Sequence, residues 1–564
     1  MPAEPRERSV STYARLAAWG AVVWIVVFWR LGLPSLMDPD EAHYAELTRE
    51  MLRAGSWLVP LLDGHPYIDK PVLFHWLQGA CMWVLGPTEF AVRLPSALAA
   101  ISLFWSTRRA GIVLFGREVG EWGGVMFATI PATFALASIG LFDMTFSALL
   151  FGGLVCLLEA SATGSRRREM AGYALVSFAV MLKGPVALVL VGLFCAAAWA
   201  IGGEARARVA VLRWKTGLTC AAVGASPWFV WMYGHFGDAF VQGYVMAGNV
   251  YYFTRPESWS SRAISHVYYV RSFAGGFFPW SAIALGRIVD LARKRVSAST
   301  EERLLWIWTA VVLGFFSLAR FKLDHYIFPA APAICLLAAK AWHDAAAPSR
   351  AARSGVSVVA IGLGALLLLG GTFLSVYIFE LDLALPMAAI LLPFVLAAGG
   401  TLMLAQAAHG RWRLPPTPLV PVLMLLATYA VVLTVGFPAL EEQRPTALVA
   451  SALKNHSPHD APAGIYQLEP WRASLRFYAE RPLAALATQE DVIAFLSVDQ
   501  SRYVIMHRKE YRALRAAGVG VHDLFHCRAV VGTSKWRAGL RRQLWGELLI
   551  VTNRPPQRLD RWLP

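Results

Sequence analysis

"WGAVVWIVVFWRLGLPSLMDPDEAHYAELTREML" occupies residues 19–52. An apolar run long enough to enter a bilayer gives way at once to Asp38, Asp40, Glu41, Glu46 and Glu50, with His43 among them. Acids beside a bilayer helix are expensive to place, so they either start a surface helix or act on something that arrives in the lipid. The composition sets the class. Hydrophobic residues make up 57% of the 564 and charged residues 16%, against roughly 25% charged in ordinary soluble chains. This is the balance of a polytopic membrane protein. Cys81, Cys156, Cys195, Cys220, Cys335 and Cys527 are scattered, with no CxxC pair, so neither a disulfide framework nor a cysteine zinc site is expected. Arg6, Arg8 and Arg15 precede the first run and no A-x-A site follows it, which reads as a retained first helix.

A span needs about 20 mostly apolar residues. Runs that reach or approach this lie near 16–33, 90–106, 122–138, 145–161, 170–182, 184–202, 216–233, 273–289, 304–319, 326–343, 355–379, 386–406 and 418–437, about thirteen in all. Lys and Arg gather in every second loop: "STRRAGIVLFGRE", "GSRRRE", "GGEARARVAVLRWK", "RIVDLARKR", "PSRAARS" and "HGRWR". The short loops around 139–145, 183–184 and 380–385 carry almost none. Cytoplasmic loops are the basic ones, so the N-terminus is expected inside and the C-terminus outside. The net charge of +15 therefore marks topology, and no nucleic-acid partner is expected. Residues 1–440 read as the membrane domain. Residues 441–564, with short alternating runs such as "AGIYQL" and "RYVIMH" between polar helical stretches, read as a small basic α/β domain outside the membrane.

This topology gathers Asp40, Lys70, Asp143, Lys183, Arg255, Arg262, Lys322 and His325 on the outer face. Asp38 suits an N-cap, Pro39 a first helical position, and Glu41 a D-x-x-E capping box. Tyr44, Leu47, Met51 and Ala54 follow as an apolar stripe and Gly55 stops the helix, so the pattern predicts an amphipathic interfacial helix. Neither capping role requires Asp40, which makes it the candidate for chemistry. Further on, "GHPYIDKPVLFHWLQGACMWVLG" breaks at Pro71, and the stretch from Val72 to Leu85 is too short to span, predicting a second interfacial helix. Lys70 stands before it, at the wrong end to favour the helix dipole. Asp143 lies in a tight turn between spans, where an unpaired acid is costly. "GNVYYFTRPES" offers Tyr251, Tyr252 and Arg255 to a sugar or headgroup.

"PDEAHYAELTREML", "GSWLVPLLDGHPYIDKPVLFHWL" and "EFAVRLPSALAA" together resemble the first loop of the GT-C membrane glycosyltransferases, in the protein O-mannosyltransferase-like group. The resemblance is nearest the bacterial branch that transfers 4-amino-4-deoxy-L-arabinose to lipid A. "LFDMTFSALLF", "MLKGPVALVLVGL", "SPWFVWMYGHFGDAFV", "FFPWS" and "FFSLARFKLDHYIFPAAPA" follow in order, over about residues 15 to 345. The resemblance implies a GT-C fold and a polyprenyl-phosphate sugar donor at a bacterial inner membrane. It implies that Asp40 is the central acid, that Lys70 meets donor phosphate, and that Asp143, Lys322 and Tyr326 match further site positions. Glu41, Tyr44, Lys183, Arg255 and His325 join them as candidate substrate contacts. Two departures bear on a divalent cation reported for that branch: Asp69 replaces Glu before the K-P motif, and Asn249 stands where His is common. Asp69 can still ligate an ion, but Asn249 is a poorer ligand than His.

The chemistry is consistent with those roles. A lipid phosphate leaving group needs cations near its oxygens, and a glycosyl centre gaining positive character is stabilised by a carboxylate. A hydroxyl acceptor would use Asp40 as general base; a phosphate acceptor would not need deprotonation. The expected acceptor is lipid A or another envelope glycan or lipid. The rivals are a protein O-glycosyltransferase of the same fold and a transporter or lipid flippase, although transporters tend to show internal symmetry and midplane charges.

Overall fold

A computed structural model of the chain describes residues 18–255, 267–347, 354–377, 386–410, 414–442, 444–468, 472–535 and 541–555. Arg6, Arg8, Arg15, Arg262 and the 380–385 loop lie outside them.

An apolar helix, Ala18–Phe28, leads into α1, Asp40–Ala54. Gly55 ends α1 at φ 65 with its N–H returned to the last turn, a conformation that suits glycine. The capping box expected at its start does not form. The helix begins at Asp40, and no side chain caps it. Asp38 instead accepts the backbone N–H of Ser474 at 3.1 Å, and the Ser474 hydroxyl also donates to it. Glu41 turns inward onto Arg93, 2.7 Å away, both side chains 1% exposed. A buried guanidinium needs a carboxylate more than a helix end needs a cap. Tyr44, Leu47 and Met51 of the predicted stripe are buried, but so are Glu46, Thr48 and Arg49 on other faces. The helix is enclosed rather than lying open on one side.

A short hairpin follows, β1 (Leu61–Leu62) antiparallel to β2 (His65–Pro66), and then α2, Leu73–Leu85, the short second helix the sequence predicts. Next come α3, Glu89–Phe115, α4, Phe142–Thr163, α5, Arg166–Lys183, and α6, Val186–Ile201. α4 and α5 form a tight antiparallel hairpin through Gly164 and Ser165. A Cβ at Gly153 would sit 3.0 Å from the Gly172 carbonyl, and one at Gly172 3.0 Å from the Gly153 carbonyl. Small residues let the two backbones approach. Later helices are α7, Thr300–Leu318, a 3-10 turn at Asp324–Ala330 running into α8, Ala331–Ala346, α9, Gly355–Tyr377, α10, Leu391–His409, and α11, Leu419–Val431.

The chain is mainly helical. Among the described residues five helices are long and apolar enough to cross a membrane: Glu89–Phe115, Phe142–Thr163, Gly355–Val376, Met387–His409 and Leu419–Glu442. Several other predicted runs are interrupted. The 122–138 run divides at Pro131 into Arg117–Thr129 and Pro131–Ala137, and 273–289 divides at Pro279 into Tyr268–Gly276 and Trp280–Ala292. Proline lacks the N–H that would continue the ladder. The 170–182 run lies within α5, whose first turn carries Arg166, Arg167 and Arg168.

Beyond α12, Thr446–His456, the chain builds β3, Ala463–Tyr466, α13, Arg472–Ala479, β4, Ala484–Leu486, α14, Gln489–Leu496, β5, Tyr503–His507, α15, Arg508–Ala516, β6, His522–Lys535, and β7, Arg541–Thr552. The sheet order is β4-β3-β5-β7-β6, parallel across β4-β3-β5 and antiparallel across β5-β7-β6. Strand side chains alternate between faces. Ile465, Tyr503, Ile505, Leu548 and Ile550 therefore join one apolar layer with Val449 and Leu475. Tyr466, Val504, Met506, Leu549 and Val551 join another with Val492 and Leu514.

α13 rests on α1. Besides the Asp38–Ser474 bonds, Arg49 donates to the Phe477 carbonyl at 2.8 Å. The Tyr478 hydroxyl accepts Leu36 N–H at 2.7 Å and donates to Glu89 at 2.9 Å.

Candidate active site

α1, α4, α5, α6, α7 and α13, with the β1–β2 hairpin and the segments around residues 67–70, 244–254 and 319–326, surround a cavity of about 1090 Å³. Asp40 opens α1 and lines it; His43 and Tyr44, one turn on, share that face. Glu41, about 100° round the helix from Asp40, faces the interior and holds Arg93 and the Gly140 N–H, the latter at 2.8 Å.

The α4–α5 hairpin brings two distant residues together. Asp143 lies in the first turn of α4 and Lys183 at the last turn of α5. Antiparallel arms of similar length return them to one end, where Lys183 Nζ donates to Asp143 Oδ1. Lys183 also lies 4.8 Å above the Tyr326 ring and 5.5 Å from the Phe142 centroid, and His325 Nε2 is 3.6 Å from Asp143 Oδ2. Beside them Lys70 pairs with its neighbour Asp69 at 2.8 Å. Burial raises the Asp40 pKa above its ordinary 3.8, the Asp143 charge adds to this, and His325 and Lys70 oppose it. Burial lowers the pKa of His43, which Asp69 counters. The other side of the cavity is apolar, with Val186, Val189, Phe253, Phe315, Phe316 and Phe321 in its wall.

Asp40, Tyr44, Asp69, Lys70, Asp143, Lys183, His325 and Tyr326 thus all line one space. Three predicted residues do not. Glu41 is committed to Arg93. Lys322 is buried and donates its ammonium to the Ala319 carbonyl, although Phe321 and Leu323 on either side line the wall. Arg255 is exposed, with its guanidinium 3.8 Å from the Tyr251 ring centroid. Sequence reading missed His43, Tyr67, Tyr244 and Arg476 as lining residues. His43 could have been found from its spacing after Asp40; nothing local marks Arg476.

The donor set does not fit a divalent cation at Asp69. Its Oδ2 already holds the Lys70 ammonium, and Asn249 Nδ2 donates to the Tyr244 carbonyl at 2.8 Å. Among the described residues no three His, Cys, Asp or Glu side chains gather as a metal site, and the cysteines are free thiols.

Comparison with known proteins bears out the resemblance to the protein O-mannosyltransferase-like group near the aminoarabinose-transferase branch. A family model described as dolichyl-phosphate-mannose-protein mannosyltransferase matches residues 69–231. The undecaprenyl phosphate-alpha-4-amino-4-deoxy-L-arabinose arabinosyl transferase of Erwinia tasmaniensis is 28% identical over 343 residues, which are 59% of this chain and 60% of that protein. The enzyme of the same name from Edwardsiella ictaluri is 28% identical over 371 residues, 62% of this chain and 64% of that one. The match therefore spans less than two thirds of either relative. In three dimensions the chain has the fold of ArnT from Cupriavidus metallidurans solved with undecaprenyl phosphate. The TM-score is 0.71 at 21% identity, covering 97% of this chain and 98% of that one. The apo structure of the same protein gives 0.72.

Proposed function

We propose that this chain is a bacterial inner-membrane glycosyltransferase that moves a sugar from a polyprenyl-phosphate carrier to an extracytoplasmic acceptor, lipid A or another envelope glycan or lipid. The observation that carries the proposal is the two-sided cavity: a carboxylate and several cations face an apolar wall. The apolar side suits an isoprenoid tail, which needs no polar partner. At its polar end Lys70, Lys183 and His325 suit the phosphate, whose charge grows as the glycosyl bond breaks. Asp40 is proposed as the catalytic carboxylate at the sugar carbon. Asp143 is proposed to hold Lys183 and His325 in place and to bear on Asp40 electrostatically. Tyr44 and Tyr326 are proposed as sugar contacts. Glu41, Lys322 and Arg255 are assigned no contact with the reacting atoms.

The sequence reading supports about thirteen membrane passages, a cytoplasmic N-terminus and an extracytoplasmic domain over 441–564, and we adopt these as part of the proposal. The names of the relatives support undecaprenyl phosphate as the carrier and aminoarabinose as the first sugar to try.

The test is sugar transfer by the purified protein in detergent, from undecaprenyl-phosphate donors to lipid A, followed by mass spectrometry. Asp40→Asn should keep its melting temperature and lose about 10²–10⁴-fold in turnover. Wild-type turnover in that variant would remove the central assignment. Transfer to a peptide hydroxyl but not to lipid A would move the protein to the O-glycosyltransferase reading.

A further inference from the structure

One end of the cavity is not used by the chemistry above. There Arg476, carried by α13, lines the wall with Leu62, His43 and Tyr67. The residue is only 4% exposed. Nη1 lies 2.5 Å from Asp63 Oδ1, Nη2 donates to the Leu483 carbonyl at 3.0 Å, and Nε is buried with no hydrogen-bond partner among the described residues. A guanidinium carries more N–H donors than these partners use.

The two members of this ion pair are held very differently. Arg476 is enclosed. Asp63 sits at the tip of the β1–β2 hairpin with φ 56, its backbone tied down by Glu50, which accepts the Asp63 and Gly64 N–H groups at 3.1 Å each. Its side chain is 33% exposed, so the carboxylate can turn into water while its backbone stays. A fixed cation with a releasable internal counter-anion is built for exchange with the anion of a ligand.

The charges that act on Asp40 are His325, Asp143 and Lys70, whereas Arg476 acts on Glu46 and, together with Asp69, on His43. His43 lies one turn, about 5 Å, along α1 from Asp40. A donor whose tail lies along Val186, Val189 and Phe316 brings its phosphate to Lys183 and Lys70, leaving Arg476 facing the second substrate.

We propose, resting on the sugar-transfer reading, that Arg476 is the residue that recognises an anionic group, a phosphate above all, on the acceptor. The acceptor phosphate takes the guanidinium from Asp63, which turns to solvent, and so places the acceptor beside Asp40. No covalent step beyond the glycosyl transfer is involved.

The test uses the full chain in detergent with lipid A and with enzymatically dephosphorylated lipid A, measuring binding by native mass spectrometry and transfer kinetics in parallel. Arg476→Gln should weaken lipid A binding and raise its KM by about ten- to a hundredfold, leaving the donor KM unchanged and the dephosphorylated lipid unaffected. Arg476→Lys should recover part of the loss. Asp63→Asn should tighten lipid A binding, because it removes the competitor. A clasp that is merely structural predicts otherwise. If Arg476→Gln and Asp63→Asn both weaken binding, or both lipids suffer equally, or wild-type protein binds the two lipids alike, the proposal is overturned. A wild-type protein that binds lipid A in this phosphate-dependent way yet transfers no sugar would count against the enzymatic reading alone.

Discussion

Asp40 and Glu41 are adjacent acids with opposite fates, and the difference is one step of helical rotation. Glu41 meets Arg93 and becomes part of the framework; Asp40 meets the cavity and stays unneutralised by any direct ion pair among those described. Burial raises its pKa above 3.8, so the carboxylate that the proposed reaction needs is lost at a higher pH than in an ordinary aspartate. The acid limb of kcat/KM should therefore fall above pH 3.8. His325 is the largest influence holding that pKa down, so His325→Gln should move the limb to still higher pH. A limb that stays put or moves down in that variant would show that Asp40 is not the group titrating. The sequence made Asp40 legible because no capping role required it. The pairing of Glu41 with Arg93 is not legible there, since the two lie 52 positions apart. Lys322, expected at a further site position, turns back onto the Ala319 carbonyl, a turn decided by packing and not by residue type.

At the scale of elements, the α4–α5 hairpin sets the distance between Asp143 and Lys183. Its arms approach at Gly153 and Gly172, where added side-chain atoms would meet the opposing backbone. Gly172→Leu should wedge the arms apart. The Asp143–Lys183 bond should lengthen and turnover should drop by at least about tenfold, since a misplacement of about 1 Å can cost about a hundredfold. The α3–α4 packing should survive. Donor binding and turnover measured on the variant check this; unchanged kinetics would mean that the hairpin does not control the pair. The turn and both arms were visible as neighbouring apolar runs with a short basic loop. The breaks at Pro131 and Pro279 were not read, because counting apolar residues over a window ignores the missing N–H that ends a helix. The second short helix after Pro71 was read correctly, its start fixed by proline and its length by the apolar run.

At the scale of the molecule, the sheet-bearing region is locked to the first loop rather than tethered beside it. Tyr478 joins Leu36 and Glu89 through one hydroxyl. Tyr478→Phe would leave the N–H of buried Leu36 without its partner and remove a donor from the half-buried Glu89 carboxylate, at about 1–3 kcal/mol. It should lower the melting temperature of the whole protein in one transition. Two separated transitions in the wild type would contradict this coupling. The alternating short runs of residues 441–564 point to strands, and between Ala463 and Thr552 the described residues form a five-stranded sheet. The docking of this region on α1 could not be read from the sequence, because contacts such as Asp38–Ser474 join positions 436 apart and neither residue is unusual where it stands.

The walls of the cavity run from Pro39 to Arg476, which has a consequence for biosynthesis. A ribosome working along this message makes Asp40 early and Arg476 late, with most of the apolar helices made in between. Until codon 476 has been read, the nascent polypeptide holds an open trough instead of a closed chamber, so a truncated product that inserts correctly would still lack one side of the cavity.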